Sequence, residues 1–347
     1  MELIDLHPQI ACKAYLLIDD GQAAIIDPRF DQTRAYQKVI KEKGVKLIYA
    51  FDTHTHADHL SGCDRLRNWY GCKVIMSSAT KSKVPDTKAS DGQKFSLGSG
   101  ELTLMHTPGH TPDSCSIFDG KRLFSGDTLF IESAARTDFM GGNTGQLFDS
   151  LEKLRTLGDE IEVWPGHDYN KHTCSTIGSE SANNPYFKAS KDELIAKMDK
   201  KIDLPANMAE ILSFNSEAGL PEDKIVTPAD VLKMGEPGKD YTFLDMRFVE
   251  ELEAGRWDKA TIKCKSKIKA EFDEIRKMPH PIISVCRSGV RATLAMMTAR
   301  HAGDDGWLLL EGGMLAWQEA GLPMVCDNDG EPDVIPSPEA GGGCAVG

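Results

Sequence analysis

Nine cysteines are scattered along the 347 residues with no Cys-x-x-Cys pair, an odd number that encodes neither a disulfide framework nor a structural zinc ribbon. No apolar run approaches the roughly eighteen residues a bilayer helix requires. The amino terminus MELIDLHPQI is acidic where a signal peptide is basic. These absences predict reduced thiols and a cytoplasmic location. Positive charge is scarce: 40 Lys and Arg stand against 53 Asp and Glu, a net −13 that repels phosphate backbones and anionic lipid. Nucleic acid and membrane are therefore excluded as partners. The rest is ordinary globular composition, 40% hydrophobic and 27% charged, over a length that favours two domains. A small-molecule enzyme is expected.

Up to about residue 180, short apolar strands alternate with turn signals. Ala14–Ile18 and Ala23–Ile26 flank Asp19-Asp20-Gly21-Gln22 as a hairpin, and Lys46–Phe51 forms a strand ending at a His-rich loop. Glu101–His106, Ser114–Phe118 and Arg122–Phe124 continue the series, while Thr33–Lys43 and Gln146–Leu157 have helical spacing. From Lys188 to Lys224 the pattern turns polar and helical, which predicts a linker packed on its neighbours. Thr227 and Pro228 then cap a helix that opens a second unit. Its strands Tyr241–Asp245, Pro281–Val285 and Gly306–Leu310, with a helix from Val290 or Arg291 to His301, argue a parallel sheet. The expected division is 1–187 and 226–325 as domains, 188–225 as linker and 326–347 as a flexible tail rich in Gly, Pro and acids.

Thr53-His54-Thr55-His56-Ala57-Asp58-His59 packs three imidazoles and a carboxylate into a loop directly after a strand, a spacing that lets them converge on one or two cations. His110 in TPGHTPDS, Asp127 in FSGDTLF and His167 in VWPGHDY each add a ligand after an apolar stretch. Solvated surface histidines would not recur in this order. Spacing alone allows either one iron or two zinc ions with a hydrolytic hydroxide.

These motifs resemble the metallo-β-lactamase superfamily, which implies an αββα sandwich with metal at one end of its two sheets. In its dinuclear members, such as glyoxalase II, His54, His56 and His110 would hold one metal, and Asp58, His59 and His167 the other, with Asp127 between. Arg136-Thr137-Asp138-Phe139, Gly166-His167-Asp168-Tyr169, Thr176-Ile177-Gly178-Ser179-Glu180 and Asn184-Pro185 are similar to the persulfide dioxygenase branch. That resemblance implies one Fe(II) held by His54, His110 and Asp127, with His56, Asp58, His59 and His167 outside the coordination sphere. It also implies glutathione persulfide and dioxygen as substrates, with Arg136 and Tyr169 as the candidates for binding the former. One segment departs from the family: Glu132-Ser133-Ala134-Ala135 stands where a Gly-Cys-Gly type of turn is common.

Cys286-Arg287-Ser288-Gly289-Val290-Arg291 lies between a buried strand and a helix. A thiolate there would face backbone N–H groups and a helix amino terminus, with two arginines adding positive charge. A phosphatase-like anion cradle competes but wants a longer loop. The loop resembles the rhodanese domain, an α/β fold with a parallel sheet, in which Cys286 is the sulfur-accepting nucleophile and residues Arg287, Ser288, Gly289, Val290 and Arg291 bind the anion. Asp245-Met246-Arg247 and Leu310-Glu311-Gly312-Gly313-Met314 with Trp317 support the resemblance, whereas Arg256-Trp257-Asp258-Lys259-Ala260 replaces the usual Gly-His-Ile-x-Gly-Ala. Cys12, Cys63, Cys72, Cys115, Cys174 and Cys264 are read as structural.

Together the two resemblances imply a persulfide dioxygenase and rhodanese fusion, an enzyme handling glutathione persulfide, glutathione, dioxygen, thiosulfate and sulfite. The competing expectation is a dinuclear zinc glutathione-thioester hydrolase of the glyoxalase II type with an accessory sulfurtransferase domain. A noncatalytic second domain is disfavoured by Cys286 and its arginines. Nothing in the pattern signals a coiled coil, and a homo-oligomer is left open.

Overall fold

The computed structural model describes residues 1–139, 141–169, 172–198, 207–217, 219–264, 268 and 270–325. They divide into two compact units, one of Met1–Met208 with Asn215–Gly219, the other of Ala209–Phe214 with the described residues from Leu220 on. The expected tail, 326–347, lies outside the described residues. Within the expected linker, Lys191–Met198 and Met208–Ser216 are helices.

The first unit holds two six-stranded sheets. One runs in chain order from β1 (Glu2–Asp5) through β2 (Tyr15–Asp19), β3 (Gln22–Ile26), β4 (Lys46–Phe51) and β5 (Lys73–Ser77) to β6 (Thr87–Ala89). It is antiparallel from β1 to β3 and parallel from there on. The other contains β7 (Lys94–Leu97), β8 (Gly100–His106), β9 (Cys115–Phe118), β10 (Arg122–Gly126), β13 (Glu162–Pro165) and β14 (Ser175–Thr176), in the order β14-β13-β10-β9-β8-β7. β11 (Leu129–Phe130) and β12 (Ser133–Ala134) form a small separate hairpin.

Alternation along β2 and β3 explains the layering. Tyr15, Leu17, Ala24 and Ile26 join Phe95, Leu97, Leu102, Leu104, Ile117 and Phe124 of the second sheet in one buried cluster. The intervening Leu16, Ile18, Ala23 and Ile25 point the other way, onto Tyr36 and Ile40 of the helix Thr33–Lys43 and Leu66 of the helix Cys63–Tyr70. A strand buried on both faces in this way must be apolar throughout. Beyond the second sheet, Leu123 and Val163 pack on Leu147, Leu151 and Leu154 of the helix Thr144–Arg155. Each such buried Leu or Val contributes about 1.5–3 kcal/mol. The result is the expected αββα sandwich.

The second unit is a five-stranded parallel sheet in the order β15-β19-β18-β16-β17, made of β15 (Ile225–Val226), β16 (Thr242–Asp245), β17 (Thr261–Ile262), β18 (Ile282–Val285) and β19 (Trp307–Leu310). Thr227 caps the helix Pro228–Val231 through a reciprocal box with Asp230, as the sequence predicts. Trp257, in the segment that departs from the rhodanese pattern, fills the core, its ring centroid 4.8 Å from Phe243 and 4.9 Å from Trp317. The departure is thus absorbed by an aromatic core. No helix among the described residues is long and apolar enough to cross a membrane.

Candidate metal centre and cysteine loop

β3 and β4 run side by side and are followed directly by Asp27 and Asp52, so two carboxylates meet at the root of the His-rich loop. Asp27 accepts from Thr53 N at 2.7 Å and from Thr53 Oγ1 at 2.9 Å. The threonine hydroxyl has then used its proton, so at 3.1 Å it accepts from His54 Nδ1, which leaves His54 Nε2 bare. His110 Nδ1 donates to the Arg136 carbonyl at 2.8 Å, which leaves its Nε2 bare in turn, 3.8 Å from Asp127 Oδ2. His54, His110 and Asp127 are buried, and each offers a ligand atom within 4.8 Å of the others. The sequence-predicted iron triad therefore converges, with its tautomers set for ligation.

The other four predicted residues lie beside it. His56 turns Nε2 to Asp27 Oδ1 at 3.2 Å and Asp52 Oδ1 at 3.6 Å, and its buried Nδ1 finds no protein partner. His59 donates from Nδ1 to Asp58 Oδ1 at 3.1 Å, and its buried Nε2 is likewise unpartnered. An orphaned buried imidazole nitrogen is costly in a protein interior, and a cation would satisfy a bare one such as His59 Nε2. The donor set fits a metal. His167 is engaged on both nitrogens, Nδ1 with Asp127 Oδ1 at 2.9 Å and Nε2 with Asp58 Oδ2 at 3.1 Å. Gly166, before it, is required by space, since a Cβ there would stand 2.5 Å from Asp127 Oδ1.

Burial, reinforced by the charge of His56, lowers the His54 imidazole to about 4, which keeps it a neutral ligand. Burial would lower His56 and His167 too, but Asp27 raises the first well above its ordinary value, and Asp127 with Asp58 does the same for the second. Burial would raise the Asp127 carboxyl, yet the imidazoles of His167, His54 and His110 hold it below the usual carboxylate range.

Arg136 does not present a free fork to the site. Its Nε and Nη2 bind Asp138 at 2.5 and 2.6 Å, and its guanidinium lies 4.5 Å over the Phe139 ring. Tyr169 is 42% exposed and stacks on His167 at 5.7 Å. Glu132 adopts φ 57°, the left-handed conformation for which the family's glycine is suited, and its N–H is held by Glu180 Oε2 at 2.9 Å. Asn184 Nδ2 bonds the Phe130 and Ser133 carbonyls of the same hairpin.

Cys12, read as structural, lies beside this centre. Its Sγ lies 3.3 Å from both Asp58 Oδ2 and His167 Nε2. Asp27, Asp52 and Asn215 also escaped the sequence reading. For Asp27 a signal existed in an acid placed directly after the apolar strand AAII. Cys63, Cys72 and Cys115 are buried thiols, as expected, and burial raises each of them.

In the second unit, β18 is followed directly by Cys286, a residue 1% exposed, whose sulfur accepts from Gly289 N at 3.2 Å. Met314 N and Leu315 N hold the carbonyls of Cys286 and Arg287 at 2.9 and 3.1 Å. Gly313 makes this possible, because a Cβ there would fall 2.3 Å from the Cys286 carbonyl oxygen. The loop carbonyls are thereby engaged at the back, and an amide faces the sulfur. Arg291 is paired with Glu251 through both oxygens at 2.5 Å and lies 4.9 Å over Phe248. Arg287 is exposed. Asp245 and Arg247 are buried together, Nη2 to Oδ2 at 2.7 Å, and Arg247 also donates to the Glu251 and Gly255 carbonyls, so the pair braces the segment that carries Glu251, the partner of Arg291.

Residues 8–167 match the family described as the metallo-beta-lactamase superfamily, and residues 227–320 match the rhodanese-like domain. The mitochondrial persulfide dioxygenase ETHE1 of Bos taurus is 36% identical over 218 residues, covering 58% of this chain and 85% of that protein. A hydroxyacylglutathione hydrolase of Francisella tularensis subsp. novicida is 31% identical over 220 residues, covering 62% and 85%. The crystal structure of ETHE1 from Myxococcus xanthus superposes with a TM-score of 0.60 at 33% identity, over 62% of this chain and 98% of that one. The chain belongs to the metallo-beta-lactamase superfamily, with a rhodanese-like domain following that fold. Within the superfamily it is a relative of the persulfide dioxygenases, and its role lies in sulfur metabolism.

Proposed function

We propose that the chain oxidises glutathione persulfide to sulfite and glutathione at a single ferrous ion held by His54, His110 and Asp127, and that Cys286 transfers sulfane sulfur between thiosulfate or sulfite and glutathione or its persulfide. The observation that carries the first half is the division of Asp127: Oδ1 is bound to His167 Nδ1 at 2.9 Å, and Oδ2 alone faces His110. Two imidazoles and one carboxylate oxygen suit a non-haem iron oxygenase, in which the remaining positions stay open. When bound, the ion would supply the electron transfer that makes dioxygen reactive. Persulfide, dioxygen and water become glutathione, sulfite and two protons, the terminal sulfur giving four electrons to dioxygen.

The residues around the triad do the positioning. Asp27 and Thr53 set the His54 tautomer, and the Arg136 carbonyl sets that of His110. Tyr169, exposed beside His167, offers a hydroxyl to the anionic tripeptide, and Arg136 acts on the site through His110. At Cys286 the thiolate attacks the outer sulfur of thiosulfate, expelling sulfite. A glutathione thiolate then takes that sulfur and restores Cys286, with Arg287 and the loop amides binding the anions. The protein is read as cytoplasmic, with residues 1–187 and 226–325 as its domains.

A second reading is favoured by one observation, the bare Nε2 of buried His59 beside Asp58. It suits a second ion and the dinuclear zinc hydrolysis of a glutathione thioester. Metal analysis with oxygen-electrode measurements on fresh glutathione persulfide separates the two. One iron per chain with rapid uptake is expected. Two zinc ions per chain, no uptake and thioester hydrolysis would replace the dioxygenase with the hydrolase.

A further inference from the structure

The loop that carries His54, His56, Asp58 and His59 leaves the β4 ladder at Asp52, so its backbone groups lose their strand partners where the ligands must be held most firmly. The partner comes from far along the chain. Asn215, buried at 5% exposure, donates through Nδ2 to the His56 carbonyl at 2.9 Å and to the His59 carbonyl at 2.8 Å. Its Oδ1 accepts from Ser61 N at 2.8 Å. Both amide hydrogens and the carbonyl oxygen of one side chain are thus used on a six-residue stretch of the metal loop. Asn215 is fixed in turn, since its own carbonyl accepts from Ser82 Oγ at 2.8 Å and the next carbonyl, of Ser216, from Lys83 N at 2.8 Å. Ser61 completes the clamp by donating from Oγ to Asp52 Oδ2 at 2.7 Å, on the carboxylate that faces His56.

We infer that Asn215 is a positioning residue of the metal centre: its carboxamide ties the His56 and His59 carbonyls together and so fixes the arc on which the ligand loop presents its side chains. Only a planar group with two donors and an acceptor makes these three bonds. An aspartate there would set a carboxylate against two carbonyl oxygens, and an alanine would leave two buried carbonyls and one buried N–H unpaired. Residue 215 is 48 positions beyond His167, outside every metal motif and in a segment the sequence reading assigned to a linker. This inference rests on the metal-centre reading but not on which metal occupies it.

The test uses the full chain and the variants Asn215→Ala and Asn215→Asp, with Glu217→Ala as an exposed control on the same segment. Affinity for ferrous iron, and separately for zinc, is measured by chelator competition at a temperature where every metal-free variant is folded by circular dichroism. Sulfur transfer at Cys286 checks each preparation independently. The expected result is a loss of affinity of about 10- to 100-fold in both Asn215 variants, the range typical of groups that orient metal ligands, with no change in Glu217→Ala. Unchanged affinity in Asn215→Ala, whether or not its melting temperature falls, would reduce the residue to a structural one and overturn the inference. Failure of the parent chain to bind iron while it binds zinc would instead overturn the proposed dioxygenase, with the Asn215 comparison still read on zinc.

Discussion

The two candidate sites use the same kind of position, a loop leaving the end of a buried strand, and build opposite devices there. The candidate metal centre is made of side chains gathered from Asp27 to Asn215, each held by another side chain or by a carbonyl. The cysteine loop is made of backbone, with its amide on sulfur and its carbonyls on Met314 and Leu315. Side-chain recognition fixes ligand identity and tautomer, and tolerates few replacements. Backbone recognition needs the chain path and glycines, and is indifferent to most side chains it carries.

The largest expected effects test whether the two devices are independent. Asp127→Ala should abolish metal retention and dioxygen uptake and leave Cys286-dependent transfer from thiosulfate to glutathione near the parent rate. Cys286→Ser should do the reverse with added glutathione persulfide. Measuring both activities on the same preparations checks this, and loss of both in either variant would break the separation.

Next come the two glycines. Gly166→Ala forces a methyl onto the Asp127 carboxylate and should weaken metal affinity about 10- to 100-fold in a chelator titration. Gly313→Ala forces a methyl onto the Cys286 carbonyl, and overpacking of this kind costs about 1–3 kcal/mol. Slower transfer, a lower melting temperature and undisturbed metal binding are expected. Cross-effects between the sites would contradict the comparison.

A smaller effect separates the two arginines of the loop. Arg287, exposed, should act on the free anion, so Arg287→Gln is expected to raise the thiosulfate KM about 3- to 10-fold with kcat little changed. Smallest is the pH response of the Glu251–Arg291 pair. Burial would raise Glu251, but its hydrogen bonds from Arg291 outweigh that and depress it below its ordinary 4.5. The stabilisation is therefore fully present above that value and is lost as pH falls through the depressed one. Thermal melts across the acid range should show this loss in the parent and a flatter profile in Glu251→Gln.

Much of this was legible in the chain. The helix Thr33–Lys43 and strand Lys46–Phe51 have the expected bounds because amphipathic spacing ends at Gly44 and an apolar run ends at polar residues. The convergence of His54, His110 and Asp127 could be read because His and Asp set just after apolar strands are an uncommon pattern that points to metal ligation. Strands such as Lys73–Ser77 and Glu162–Pro165 escaped, being short and buried by neighbours that sequence alone does not reveal. Asp27 and Asn215 escaped for a related reason: their roles depend on which carbonyl or imidazole the fold brings opposite them. Arg136 shows the same limit, since its backbone oxygen engages His110 whatever its side chain does.

The depth of Cys286 has a regiochemical consequence. With the residue 1% exposed, the sulfur of the resting protein lies at the floor of its loop, and a persulfide formed there, as proposed, would extend it by one S–S bond of about 2 Å. The outer sulfur is then the atom an incoming thiol meets first, and attack there releases the protein's own sulfur as leaving group. Attack on the inner sulfur would trap the acceptor as a mixed disulfide on the protein. In the proposed transfer, burial of this one sulfur would therefore steer the reaction toward delivery of its cargo.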